Sequence, residues 1–130
     1  MILVDSSVWI ANLRGARTDS VRKLHDFAQV QERIIIGDLI LMEVMMGARD
    51  EAHAARLRRE MGEFQIVPLL DLPLAEEAAR NYRILRGLGV TIRTGIDMVI
   101  GTYCIRHGHA LLHDDRDFDP MQRHLGLKVA

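Results

Sequence analysis

Acidic side chains of this sequence stand directly after two short apolar runs. Asp5 follows Ile2–Val4, and the segment DDRDFD, which contains Asp115 and Asp117, follows Ala110–His113. If both runs are buried parallel strands, these carboxylates lie beyond the carboxyl ends of the strands, where α/β proteins bind their ligands. An ordinary turn at Asp5 and a solvated acidic loop after the second run are the competing interpretations.

Two further acids interrupt apolar stretches that have helical spacing. Glu43 lies in the run LILMEVMM, and Asp97 lies in the run GIDMVIGTYCI. Side chains three or four positions apart share a helix face, so each acid shares its face with apolar side chains. Burial of an isolated carboxylate is costly and raises its pKa. The alternatives are a Glu43 side chain that reaches water and an Asp97 that serves as an N-cap or first-turn acid.

Acids that converge from these four places would bind a hard divalent cation. Without a cation, mutual repulsion would keep at least one of them protonated near neutral pH. Oxygen ligands without a cysteine and histidine set favour Mg²⁺ or Mn²⁺ over structural zinc. A calcium loop that starts at Asp115 is excluded, because Pro120 and Gly126 occupy the positions that require glycine and glutamate. Such a cation activates water and stabilises a phosphate oxyanion, so the pattern indicates phosphodiester hydrolysis.

The elements that must position these acids alternate between apolar runs and helical stretches. We predict strands over Ile2–Val4, Ile34–Ile36, Gln65–Leu70 and Ala110–His113. We predict helices over Val8–Leu13 with Ser6 or Ser7 as N-cap, from Asp19 or Ser20 to about Gln31, over Leu39–Met46 with Asp38 as N-cap, over Asp50–Gly62, from near Pro73 to Gly87, over Ile96–Arg106, and after Pro120. Strands separated by helices need crossover connections, which predicts an α/β fold with a mainly parallel sheet and helices on both faces.

Composition and charge are those of an ordinary globular protein. The chain has 130 residues, of which 48% are hydrophobic and 27% are charged, and its net charge is −1. It has no internal repeat or linker, so we expect one domain over residues 1–130. Near-neutral charge argues against a non-specific DNA-binding protein. A lone Cys104, a start without a basic leader and the lack of a membrane-spanning apolar run predict a cytoplasmic protein with no membrane partner.

The ordered motifs of this chain resemble those of PIN-domain ribonucleases, in particular the VapC-type toxins of type II toxin–antitoxin systems. The motifs are MILVDSSVWI, ILMEVMMG and TIRTGIDMVIGTYCIRHGHALLHDDRDFD, and together they extend the resemblance over nearly the whole chain. The resemblance implies a single PIN-like domain. It also implies a Mg²⁺- or Mn²⁺-dependent endoribonuclease that hydrolyses tRNA, rRNA or mRNA with a metal-activated water. By position, Asp5, Glu43, Asp97 and Asp115 match the catalytic acids and metal ligands of the family.

The same resemblance implies supporting residues. Asp117 is a second candidate for the fourth metal ligand, and Ser7 matches the hydroxyl residue beside the first acid. Arg93 and Arg116 are the candidate contacts to RNA phosphate, because a guanidinium pairs well with phosphate oxygens. The alternative for both is an ordinary exposed or ion-paired arginine.

Partners also follow from the resemblance. Toxins of this family form homodimers and are held inactive by a cognate VapB-type antitoxin, so we expect both partners for this chain. The Met-rich segment Leu39–Met46 and the apolar segment Val8–Leu13 are candidate sides of a groove for a partner, although core packing explains the same residues.

Other functions stay open at this point. A receiver-like signalling or binding domain has a similar size and an acidic pocket, but it needs a lysine near a late strand end, and Lys128 is poorly placed. A catalytically inactive PIN scaffold is opposed by the presence of all the matched acids. A metal-free nuclease with two histidines as acid and base would use His107, His109 or His113, although their spacing also suits turn and strand residues without a catalytic role.

Overall fold

Five short parallel strands form the sheet of the part of the chain that the structure describes. In the computed structural model, which describes residues 1–30 and 33–130, the strands are β1 (Ile2–Val4), β2 (Ile34–Gly37), β3 (Gln65–Val67), β4 (Ala110–Leu112) and β5 (Lys128–Val129). Their order across the sheet is β3-β2-β1-β4-β5, and each neighbouring pair is parallel. The prediction of an α/β fold with a mainly parallel sheet is confirmed. The sequence does not predict β5, because its two residues are exposed and carry no apolar pattern.

The third strand is shorter than the predicted Gln65–Leu70. It ends at Val67 and is followed by Pro68, which has no backbone N–H to donate to a ladder. The backbone N–H of Leu69 donates instead to the Asp38 carboxylate (3.1 Å). A local side-chain acceptor therefore replaces the sheet at this point.

Seven α-helices and a short 3₁₀ helix lie in the same described residues. They are α1 (Ser6–Leu13), α2 (Asp19–Gln29), α3 (Asp38–Met46), α4 (Glu51–Met61), α5 (Leu72–Gly87), α6 (Gly95–His107) and α7 (Asp119–Leu125), with the 3₁₀ helix at Arg116–Phe118. Each predicted helix is present, with ends that differ by a few residues. The predicted end of α2, Gln31, lies outside the described residues. None of the described helices combines the length and the apolar character needed to cross a bilayer.

The first three helices begin at other caps than those predicted. Asp5 rather than Ser6 or Ser7 caps α1, because the extended Asp5 accepts a hydrogen bond from the Ser7 backbone N–H. Thr18 caps α2 through its hydroxyl oxygen. Asp38 is the first residue of α3, and Gly37 precedes it without a side-chain cap. Several neighbouring residues can cap in each case, and the sequence does not say which of them is extended.

Buried strands show that helices cover both faces of the sheet. Consecutive residues of a strand point to opposite faces, yet all three residues of β1 and all four of β2 are buried. The Met121 side chain of α7 lies against Gly101 of α6. A Cβ atom at Gly101 would lie 2.2 Å from the Met121 sulfur atom, so a larger residue there would force the buried Met121 side chain to shift. The contact holds the helix of Asp97 next to the segment that carries the later acids.

The strand order places a topological switch between β1 and β4. From β1 the chain passes to β2 and β3 on one side, and it later adds β4 and β5 on the other side. Ligands of open α/β sheets bind outside the carboxyl ends of the strands at such a switch. The Asp5 backbone N–H donates to the carbonyl oxygen of Leu112, the last residue of β4 (2.9 Å). The two strand ends that carry the predicted acids are therefore adjacent.

Candidate metal centre

Asp97, Asp115 and Asp117 form a tight acidic group, and we call these three residues the aspartate cluster. One carboxylate oxygen of each residue lies within 4.8 Å of the corresponding oxygens of the other two. Asp97 projects from the first turn of α6, where the Thr94 hydroxyl accepts a hydrogen bond from the Asp97 backbone N–H (3.2 Å). Asp115 accepts from the Asp117 backbone N–H (2.9 Å). Asp97 is thus both a first-turn acid and a member of an acidic site.

Burial and like charge raise the pKa of Asp97. The pKa rises from 3.8 to about 6, first because burial penalises the charged form and then because of the negative charges of Asp5 and Asp115. The hydrogen bond with Thr94 opposes this increase. Asp97 therefore carries a proton more readily than an ordinary aspartate unless positive charge is supplied.

Asp5 lies next to the aspartate cluster but outside it. Its side chain is buried, and Oδ2 accepts hydrogen bonds from the Ser7 backbone N–H (3.2 Å) and the Ser7 hydroxyl (2.6 Å). Burial raises the pKa of Asp5 and the negative charge of Asp115 adds to the increase, whereas the hydrogen bonds with Ser7 lower it. Burial and the charge of Asp115 thus disfavour the ionised form of Asp5, and a nearby cation would favour it.

Glu43 lies outside the aspartate cluster. It is half-buried on α3, and its Oε1 atom accepts a hydrogen bond from the Ser6 hydroxyl (3.2 Å). Its pKa is raised by burial and then by the negative charge of Asp5, and the bond with Ser6 lowers it. Glu43 therefore faces Asp5 rather than bulk water, although the structure does not bring it into the aspartate cluster.

Asp114 and Asp115 are adjacent in the chain, but their side chains have different partners. The Asp114 side chain accepts a hydrogen bond from the Ser20 hydroxyl (2.5 Å) of α2, and its backbone N–H donates to the Ser7 hydroxyl oxygen (3.1 Å). Asp115 joins Asp97 and Asp117 instead. The acidic segment is thus anchored through Asp114, while its next residue is free to contribute to the cluster.

Two arginines border the acidic group. Nε of Arg93 donates to Oδ2 of Asp117 (2.8 Å), and Nη2 of Arg93 lies 3.6 Å from Oδ1 of Asp115. Arg116 is exposed on the 3₁₀ helix. Both line an open cavity of about 710 Å³, whose walls are Ser7, Arg93, Asp114, Asp115, Arg116 and Asp117. The cavity gives a solvent-borne ligand access to the acids.

The acidic residues fit a hard divalent cation. Their ligand atoms are carboxylate oxygens from four separate elements of the chain, and burial and repulsion raise the pKa of Asp5, Glu43 and Asp97 together. A divalent cation removes the repulsion that raises these pKa values. Mg²⁺ and Mn²⁺ prefer such oxygen donors.

The histidines proposed for a metal-free nuclease and the lysine needed by a receiver-like domain are less well placed for such roles. His107 and His109 stack at the far end of α6 (ring centroids 5.7 Å apart), about 15 Å along the helix from Asp97 at 1.5 Å per residue. His113 is closer in sequence to the acids, but its Nδ1 atom accepts a hydrogen bond from the Asp115 backbone N–H (3.2 Å).

Lys128 is poorly placed for a receiver-like site. It pairs with Ala110, the first residue of β4, whereas the acids follow the last residue of that strand.

Sequence reasoning missed three hydroxyl residues that hold the acids. They are Ser6, Thr94 and Ser20, which contact Glu43, Asp97 and Asp114. The capping role of Thr94 could have been predicted, because a threonine three residues before an acid is typical of a helix N-terminus. No local pattern predicts the contacts of Ser6 and Ser20, since their partners are 37 and 94 positions away in the chain.

Known proteins share sequence and fold with this chain. The family model described as the PIN domain matches residues 2–123. The chain belongs to the PIN domain family. This PIN domain is 32% identical over 133 residues to ribonuclease VapC11 of Mycobacterium tuberculosis (strain H37Rv) and to VapC ribonuclease Mb1587 of Mycobacterium bovis, with 100% of this chain and 98% of each relative covered. It is therefore a VapC-type member of a family of metal-dependent nucleases.

Solved structures share the fold of this PIN domain. FitAcB from Neisseria gonorrhoeae has a TM-score of 0.76 and 21% identity, with 99% of this chain and 96% of that chain covered. VapBC2 from Rickettsia felis, bound to a DNA fragment from its promoter, has a TM-score of 0.76 and 16% identity, with 100% and 98% covered. The predicted PIN-like fold is thus confirmed.

Proposed function

We propose that residues 1–130 form one PIN domain that acts as a Mg²⁺- or Mn²⁺-dependent endoribonuclease, the toxin of a VapBC-type module. The observation that carries the proposal is the aspartate cluster, whose oxygens lie within 4.8 Å of one another beside buried Asp5. Relatives named as VapC ribonucleases support RNA as the substrate class. A cytoplasmic location is part of the proposal, because the lone Cys104 suits a reducing compartment.

The acids are assigned to the metal and to catalysis. Asp5, Glu43, Asp97 and Asp115 are the proposed catalytic residues and would hold the metal ion, with Asp117 as a further candidate ligand. When bound, the cation supplies the activation of water and the stabilisation of negative charge on the phosphate. Glu43 contributes through its proximity to Asp5, whose charge raises the Glu43 pKa.

Ser7 positions the first acid in this proposal. Its hydroxyl donates to the Asp5 carboxylate (2.6 Å) and accepts the backbone N–H of Asp114 (3.1 Å). One side chain therefore joins the two strand ends that supply acids. Loss of such an orienting partner typically reduces metal affinity or activity by about 10–100-fold.

Arg93 and Arg116 are the proposed contacts to RNA. Both line the open cavity beside the acids, and both are exposed. A guanidinium donates two parallel hydrogen bonds to a phosphate group. The arginines would hold the RNA backbone while the acids act on the phosphodiester bond.

The test is cleavage of single-stranded RNA by the purified protein with Mn²⁺ or with EDTA. Asp97→Asn should reduce cleavage by more than about 100-fold, because even the partners of metal ligands contribute about 10–100-fold. The matched control is Asp26→Asn, which removes the same charge from an exposed position of α2. Equal activity of Asp97→Asn and Asp26→Asn, or full activity in EDTA, would contradict the proposal.

A cognate VapB-type antitoxin and a homodimer complete the proposed function. The fold is shared with VapBC2 from Rickettsia felis. A cavity of about 270 Å³ lies beside α1, α3 and α4, and its walls combine apolar side chains with basic ones: Ile10, Leu13, Val44 and Leu57, together with Arg14, Arg49 and His53. Co-expression with the adjacent reading frame should yield a stable complex with reduced RNA cleavage, and sedimentation should give the mass of a dimer for the free protein.

A further inference from the structure

Arg93 already pairs with two of the proposed metal ligands. In the described residues 1–30 and 33–130, two ion pairs involve the aspartate cluster, and Arg93 forms both of them. Its Nε atom donates to Asp117 (2.8 Å), and its Nη2 atom lies 3.6 Å from Asp115. The guanidinium thus supplies positive charge to the same carboxylates that would hold a divalent cation.

The guanidinium and the cation compete at these carboxylates. Each carboxylate has about four acceptor sites, and Asp115 gives one of them to the Asp117 backbone N–H. The two positive charges also repel each other at short range. Binding of the metal therefore weakens the ion pairs of Arg93, and the ion pairs weaken binding of the metal.

Arg93 is free to leave this position. Its side chain is 74% exposed, and the residue lies between α5 and α6 rather than within either helix. Exposed ion pairs of this kind contribute little to stability, so their loss costs little. Arg93 also lines the cavity beside the acids, where a ligand from solvent can reach its guanidinium.

We propose that Arg93 exchanges partners: it neutralises Asp115 and Asp117 when no metal is bound, and it binds an RNA phosphate once the metal has taken over these carboxylates. The inference rests on the proposed function and adds a regulation of the same site. Arg93 lowers the affinity for metal in the absence of RNA. A phosphate that draws the guanidinium away raises this affinity, because coupling between two ligands is reciprocal.

The test is Mn²⁺ binding measured by isothermal titration calorimetry without RNA. Arg93→Gln should bind Mn²⁺ about 5–10-fold more tightly than wild type, within the usual range of coupling between sites. Arg116→Gln is the matched control, because it removes an equal charge from the same cavity wall, and no ion pair of Arg116 is present among the described residues. A change in Mn²⁺ affinity of less than about twofold is expected for Arg116→Gln, since an exposed charge that forms no ion pair is largely screened by solvent and salt. Arg93→Lys keeps the charge but loses the planar guanidinium, so its Mn²⁺ affinity should lie between those of wild type and Arg93→Gln.

Cleavage assays give the second half of the test. At saturating Mn²⁺, Arg93→Gln should raise KM for RNA, and the thermal unfolding of the variant shows whether the fold is intact. Unchanged Mn²⁺ affinity in Arg93→Gln, or an equal gain in Arg116→Gln, would overturn the exchange even if the wild type binds Mn²⁺ and cleaves RNA. A wild type without measurable Mn²⁺ binding would overturn the proposed function as well, so the two failures are distinguishable.

Discussion

Replacement of Asp97 by asparagine should stabilise the protein in EDTA at neutral pH, although it removes a proposed metal ligand. The pKa of Asp97 is raised from 3.8 to about 6, mainly by burial and by the charges of Asp5 and Asp115. The folded state therefore holds this proton more tightly than the unfolded chain does. The free energy of unfolding falls as the pH rises from about 4 to about 6, and stays at the lower level above that.

The magnitude follows from the two pKa values. A difference of one pKa unit corresponds to about 1.36 kcal/mol, so a change from 3.8 to about 6 is worth about 3 kcal/mol for a fully buried group. Asp97 is only half-buried, and solvent screening reduces the expected penalty to about 1–1.5 kcal/mol. An asparagine avoids this penalty, which corresponds to a rise of about 3–7 °C in Tm for a domain of this size.

Thermal unfolding at about pH 5 and about pH 7.5 tests this linkage. In EDTA, the Tm of wild type should fall between the two pH values, and that of Asp97→Asn should fall less. Saturating Mg²⁺ should raise the Tm of wild type more at the higher pH, because the metal needs ionised carboxylates. Asp97→Asn should lose most of this response, and Asp26→Asn should behave like wild type.

Two results would refute the reasoning. If Asp97→Asn is less stable than wild type in EDTA at neutral pH, then the carboxylate of Asp97 is not penalised by its neighbours. If its response to Mg²⁺ equals that of wild type, then Asp97 does not hold the metal. Either result would remove the physical basis for a cation at the aspartate cluster.

Two further predictions concern the residues that hold the site in place. Ser7→Ala removes the 2.6 Å hydrogen bond to Asp5 and should reduce RNA cleavage by about 10–100-fold; a cleavage rate equal to wild type at limiting Mn²⁺ would exclude a positioning role. Gly101→Ala places a Cβ atom 2.2 Å from the Met121 sulfur atom and should lower the free energy of unfolding by about 1–3 kcal/mol in urea denaturation. Gly87→Ala is the control, because a Cβ atom there meets open space, and a similar loss in both variants would contradict the packing argument.

The sequence by itself determined the elements and the places of the acids along the chain. Short apolar runs such as Ile2–Val4 are strands because both of their faces are buried, and this pattern can be read directly. Acids at strand ends and inside apolar helix faces are equally visible, which is why the sequence predicts Asp5, Glu43, Asp97 and Asp115 as candidate site residues. The local signals did not distinguish neighbours of similar chemistry, such as Asp5, Ser6 and Ser7 as caps of α1.

Only the tertiary structure decided which oxygens meet. Asp114 and Asp115 are chemically identical, but only Asp114 accepts a hydrogen bond from Ser20, which is 94 residues away in the chain. Asp115 belongs to the aspartate cluster instead. The pairing of Arg93 with Asp115 and Asp117 and the direction of Glu43 also depend on contacts between distant parts of the chain. Sequence spacing sets the direction of side chains within one element. The distances between elements depend on the strand order and on packing contacts such as Gly101 against Met121, which no local pattern encodes.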